Sequence, residues 1–146
     1  VINNKMEVTV LGTHFNVNAY TDEVNTKVTL LEGTVKVNGS GATKILQPGE
    51  QAQIADKIVV VANVDFEEVM AWKTGKFVFG EKADIETVMR QVARWYNVDV
   101  EYRGKITSHF GGTISRQANI SEIINVLEAT GHVKCSIEGR KIIVTP

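Results

Sequence analysis

Three histidines, one cysteine and a few short runs of serine, glycine and carboxylate are the groups in this chain whose types could do chemistry. His14, His109 and His132 show neither HxxxH nor HExxH spacing, and Cys135 has no second cysteine beside it, so no zinc site can be drawn. Cys135 alternates with Val133 and Ile137, which reads as a small buried hydrophobe on a strand rather than a nucleophile. His14, in GTHFNV, reads as a structural or surface histidine. Ser40 and the Ser108-His109 pair lack a G-x-S-x-G elbow and any orienting partner. Gly111-Gly112 opens a strand rather than a helix and no P-loop lysine follows, so a phosphate cradle is not supported. Asp65, Glu67 and Glu68 could be drawn as an acid/base pair or a metal cluster. Carboxylates favoured by the backbone dipole at a helix start are the commoner explanation. The inventory offers no catalytic residue, no cofactor-binding residue and no metal ligand, and the chain does not read as an enzyme.

The aromatic residues are the remaining candidates. Trp95 and Tyr96 stand side by side in ARWYNVDVEY, next to Arg94, and could form a stacking platform or the plug of a core. Phe77 and Phe79, in GKFVFG, share one strand face. Exposed strand aromatics of that kind stack bases in RNA-recognition modules. Two apolar helices need a face to cover, however, and core packing is the expected use of both phenylalanines. Arg90 and Arg94 fall opposite the apolar stripe of their helix, where a solvated face is the default reading. Nucleic acid is therefore not expected as a partner.

Whatever positions these residues must come from 146 residues, enough for one ordinary domain or two small ones. Hydrophobic residues make up 43% and charged residues 23%, so the chain should fold. The net charge of −1 hides an asymmetry: residues 1–70 carry −4 and residues 71–146 carry +3. A +3 half is too mild to be a nucleic-acid footprint by itself. No apolar run approaches the ~18 residues of a membrane span, and no signal-peptide pattern is present. The chain opens on VINNKMEVTV without an initiator methionine, which reads as the start of a fragment or processed product.

Residues 6–62 read as short strands separated by turns: EVTVLG, HFNVNAY, KVTLLEG, TVKVNG, TKIL, QAQI and KIVVVA. Val35, Val37 and Ile45 flank NGSG as the apolar positions of a hairpin. The expectation is an all-β module of short strands, a sandwich or a solenoid-like stack, over residues 1–70. Asp65 and Glu68 then give a capping-box pattern for a short helix that Gly75 ends, with Phe66, Val69 and Met70 on one face.

From residue 76 the chain repeats with an offset of 35. Ile85, Val88, Met89 and Val92 lie over Ile120, Ile123, Ile124 and Leu127, each set with the i, i+3, i+4, i+7 spacing of an amphipathic helix. Asp84 lies over Asn119, both good N-caps, and Glu122 completes a capping box with Asn119. Val98, Val100 and Tyr102 lie over Val133, Cys135 and Ile137 as strands after each helix, while KFVF and GTIS supply a strand before each. The pattern predicts a duplicated βαβ–βαβ domain over residues 71–146, α+β for the chain as a whole, with right-handed crossovers laying both helices on sheet. IEGRKIIVTP adds a last hairpin turning at Gly139, and its final strand, Lys141 to Val144, is a candidate open edge. Trp95-Tyr96 lies over Thr130-Gly131, so the aromatic pair is where the copies differ most. Tyr96 continues the stripe into the core, Asn97 can supply the left-handed stop that Gly131 supplies in the second copy, and Trp95 sits at the stripe's margin, covering a sheet edge or the junction with the β half.

VTVLGTHFNVNAY, VTLLEGTVKV and LQPGEQAQI together resemble the core of FecR-family proteins, regulators of extracytoplasmic sigma factors. AWKTGKFVF through DIETVMRQVARWYNVDVEY and FGGTISRQANISEIINVLEATGHVKCSIEGRKIIV resembles the C-terminal domain many of them carry, itself similar to the short N-terminal domain of secretins and TonB-dependent transducers. The resemblance implies a FecR-like all-β domain over 1–70, incomplete at its start, and a secretin/TonB short N-terminal-like domain over 71–146. It implies the periplasmic portion of a single-pass inner-membrane protein of a Gram-negative bacterium. Its implied partner is the N-terminal signalling domain of a TonB-dependent outer-membrane transporter, and it reaches the sigma factor only through a cytoplasmic region that this chain lacks. No small-molecule substrate is implied, and the sequence leaves the partner-binding residues unknown. Strand addition at an open edge or docking of a helix face are the routes open to such a contact. The alternative is a structural or assembly module of an envelope complex, like the secretin relatives.

Overall fold

The computed structural model describes residues 2–3 and 6–146. The chain is α+β and divides into two compact units, Val1–Met70 and Ala71–Pro146.

The first unit is one antiparallel sheet built around two long strands. β1 (Ile2–Asn3) pairs with β2 (Met6–Asn18), β2 with β3 (Thr26–Gly39), and β3 with both β4 (Ala42–Leu46) and β5 (Gln51–Ile54), before β6 (Ile58–Val61) closes the order. The expected short strands are therefore halves of longer ones. Gly12 and Gly33, which end two of the expected short strands, sit at irregularities where the β2–β3 ladder slips between Leu11 and Phe15. A one-residue slip exchanges the buried and exposed faces of a strand. Accordingly β3 buries Val28 and Leu30 before the slip but Val35 and Val37 after it. The bent halves meet in one cluster that also holds Met6, Val8, Leu46, Ala52 and Ile54. The described strands hydrogen-bond as one six-stranded sheet, and both halves of β3 face the same core. Gly33 has φ +92, and a Cβ there would lie 2.8 Å from Thr13 Oγ1, so the bend requires glycine.

The NGSG hairpin forms as read, with Ser40 and Gly41 both at positive φ between Gly39 and Ala42. Its inward residue is Leu46. Ile45, one position earlier, points out and is 61% exposed. The following helix is two single turns, α1 (Phe66–Val69) and α2 (Ala71–Thr74). Asp65 caps the first by accepting from the backbone N–H of Glu67 and Glu68. Phe66 is exposed and Val69 and Met70 are half-buried, and none of them belongs to either buried core.

The second unit runs β7 (Lys76–Phe79), α3 (Ile85–Tyr96), β8 (Asp99–Tyr102), β9 (Gly112–Ser115), α4 (Ile120–Ala129), β10 (Lys134–Glu138) and β11 (Lys141–Thr145). Both stripes are found: Ile85, Val88, Met89, Val92, Ile123, Ile124 and Leu127 are buried, with Ile120 partly so. At about 1.5–3 kcal/mol per fully buried side chain, these residues dominate the cohesion of the unit. Asp84 accepts from Thr87 N–H at 2.7 Å, and Asn119 and Glu122 form the reciprocal capping box. The Thr87 bonds hold the Asp84 carboxyl below its ordinary value.

Strand pairing departs from the expected crossovers. The strands flanking each helix lie in different sheets: β7 pairs antiparallel with β9, while β8 pairs parallel with β11. The first strands of the two copies thus pair with each other, and the second strands, β8 and β10, flank β11. β11 is therefore the centre of its sheet, and Lys141 to Val144 is not an open edge. Pairing partners some forty residues apart are set by the shared core, where Phe77, Phe79, Phe110, Ile142 and Val144 join both helices.

Candidate interaction surface

The chemistry-bearing residues are not brought together. His14 is exposed in β2 and bonds Glu32 Oε2 at 3.1 Å, a surface pair. His109 makes an isolated bridge to Asp84, and His132 meets Phe110 edge-on at 6.4 Å. Among the described residues no three His, Cys, Asp or Glu side chains gather as a metal site. Cys135 is partly buried, and burial, reinforced by Glu128, pushes its thiol up to about 11. A thiol so protonated at neutral pH is a poor nucleophile. Arg90 and Arg94 are partly buried rather than fully solvated, and Arg90 Nη2 donates to Thr87 Oγ1. Glu101 links Arg103 and Lys141 across β8 and β11, and its carboxyl is held low first by Arg103 and then by Lys141. Tyr102 closes β8, where burial lifts its phenol to about 12.

The aromatic pair is divided between the two roles. Tyr96 packs on the core and donates its hydroxyl to the Ala118 carbonyl. Burial raises its pKa, aided by Glu122 and opposed by Arg116. Asn97 adopts the left-handed conformation, φ 53 and ψ 55, and stops α3 as expected. Trp95 stays 52% exposed. Its Nε1–H donates to the Arg116 carbonyl at 2.9 Å, and its ring meets Phe77 edge-on at 6.4 Å. These contacts set it against Phe77 of β7 and the backbone just after β9.

Arg116 is the residue that the sequence did not single out. Its guanidinium carbon lies 4.4 Å over the buried Phe77 ring and 5.2 Å from Trp95, and Nε donates to the Lys76 carbonyl at 2.9 Å. The planar cation is thus held between two rings at fixed orientation. The only sign in the sequence is that Arg116 lies over Glu81 in the 35-residue alignment, a reversal of charge between the copies. Around it an open notch is lined by Thr74, Lys76, Trp95, Thr113, Ser115 and Gln117. Two cations and no carboxylate line it.

No helix among the described residues is long and apolar enough to cross a membrane. Residues 76–144 match the family model described as FecR, C-terminal. Two crystal structures of an anti-sigma-factor candidate from Parabacteroides distasonis are similar in fold, each with a TM-score of 0.81. Their sequences are 23% and 22% identical to this one, and each match covers 97% of this chain and 68% of the other. No curated protein matches. The second unit thus matches the FecR C-terminal domain over nearly its whole length.

Proposed function

We propose that this chain is the periplasmic sensor and relay part of a membrane-anchored sigma-factor regulator. It works by binding protein, without catalysis or cofactor. The observation that carries the reading is the FecR C-terminal match over nearly the whole second unit. The likeness of fold along 97% of the chain to an anti-sigma-factor candidate supports it. The partner is the N-terminal signalling domain of a TonB-dependent outer-membrane transporter, and the sigma factor is reached only through a cytoplasmic region of the full-length protein. The inert cysteine and scattered histidines fit a part that binds rather than reacts.

The test is competition in the cell that encodes the protein. Exported to the periplasm as a free fragment, the chain should occupy the signalling domain and lower sigma-dependent transcription on induction. Full induction in the presence of abundant, folded fragment would count against the reading.

A further inference from the structure

We propose that the outer edge of β6 seats an extended segment of the partner protein, a run of branched apolar residues that begins with lysine or arginine. This rests on the protein-binding reading above and assigns it a surface. The bare edge supplies the first half of the argument. β6 pairs with β5 on one side and ends the strand order of the first unit, so alternate N–H and C=O groups point outward with no backbone partner among the described residues. Ile58–Val61 holds no charge, proline or glycine, and its three valines are all exposed, Val59 by 54%. Sheet edges are normally blunted by a charge, a bulge or a cover. β10 shows such a device, since Glu128 Oε1 accepts the Cys135 N–H at 2.8 Å. No side chain does this for Ile58–Val61 among the described residues. Val59 and Val61 stand opposite Gln53 and Gln51 on one face, and Val60 stands opposite the buried Ala52 on the other. The two glutamines are already engaged, Gln53 with Gln51 and Gln51 with Thr29. An added strand therefore meets valine on both of its faces, which selects a segment apolar on both.

Charge supplies the second half. Just beyond β6 the Val64 N–H donates to the Gly49 carbonyl at 3.2 Å, and α1 follows with Glu67 and Glu68 exposed. The backbone N–H groups of these two residues bond Asp65, while neither side chain meets a cation among the described residues. At the other end of β6, Asp56 and Lys57 leave no net charge. A strand added antiparallel, the more stable pairing, starts beside Val61 and so beside the two free carboxylates. Its basic residues therefore precede its apolar run. The −4 carried by residues 1–70 disfavours a second copy of this chain as the occupant, because edge-to-edge pairing would bring like charges together.

The probe is a capped peptide of two lysines followed by four residues of valine and threonine, added to the isotope-labelled chain and followed by amide resonances. Saturable shifts are expected at Val59, Val60, Val61 and Glu67, with at least tenfold weaker binding when glutamate replaces both lysines. Val59→Lys puts a charge on the bare edge at a side chain already half exposed, and should abolish the shifts. Glu67→Lys combined with Glu68→Lys should weaken binding of the lysine peptide at least tenfold. If Val59→Lys does not fold, the charge-reversed pair alone decides. No shift at these residues, an equal response to the two peptides, or unchanged affinity in either variant overturns the proposal. Loss of a self-associated form on Val59→Lys would give the edge to a second copy and also overturn it. The signalling domain of a TonB-dependent transporter is then titrated against the same signals. Domain binding that moves other residues refutes the surface while sparing the function. Peptide binding at β6 with no response to the domain keeps the surface and removes the transporter as partner.

Discussion

Replacing Trp95 with alanine separates a working cover from an idle surface aromatic. At 52% exposure, about half of a side chain that buries up to ~250 Å² is withdrawn from water, so ~120 Å² is lost on truncation. At ~25 cal/mol per Å² that is about 3 kcal/mol, which residual burial in the unfolded chain trims to about 2. The indole N–H bond to the Arg116 carbonyl adds about 1 kcal/mol. Trp95→Ala should therefore cost about 3 kcal/mol, the lower end for aromatic truncation. Trp95→Phe keeps a ring beside Phe77 and Arg116 and should lose about 1 kcal/mol, chiefly the hydrogen bond. Urea unfolding followed by far-ultraviolet circular dichroism gives the totals, and amide exchange at Val88 and Val92 assigns them to the unit containing α3. A Trp95→Ala cost within ~0.5 kcal/mol, the usual range for featureless surface sites, would refute the reasoning. An equal loss in Trp95→Phe and Trp95→Ala would also refute it, because burial would then contribute nothing.

Three further outcomes follow from single contacts. Gly33→Ala combines φ +92 with a Cβ 2.8 Å from Thr13 Oγ1 and should destabilise the first unit by about 1–3 kcal/mol, read as a lowered thermal midpoint. Asp84→Ala should cost about 1 kcal/mol at neutral pH as a lost N-cap. The folded Asp84 carboxyl titrates below its ordinary value of 3.8. Its contribution is therefore fully present above that value and fades as pH falls through the folded value, so urea midpoints of wild type and variant should converge in acid. Cys135 should react slowly with a thiol reagent at pH 8 and faster as pH rises toward about 11, where its buried thiol ionises.

The helices of the second unit were legible because local geometry decides them. The stripe from Ile85 to Val92, the caps Asp84 and Asn119, and the stop at Asn97 each depend on residues within one or two turns. Strand partners were not legible, since β7 with β9 and β8 with β11 join segments roughly forty residues apart and either pairing buries the same apolar residues. The bent strands of the first unit were misread for a related reason. Gly12 and Gly33 carry turn chemistry, and only the β2–β3 register shows that the chain continues through them. Within the interaction surface, Trp95 was visible as an oddity at the stripe's margin. Arg116 was not, because its position over Phe77 exists only once residues 77, 95 and 116 have been folded together.

The central claim, that this chain relays a signal by binding another protein, is tested most directly by calorimetric titration of the purified chain. The titrant is the N-terminal signalling domain of a TonB-dependent transporter, the partner proposed above. Saturable binding of one domain per chain is the predicted result. No heat and no shifted resonance at high micromolar concentration, with both partners folded, would contradict it.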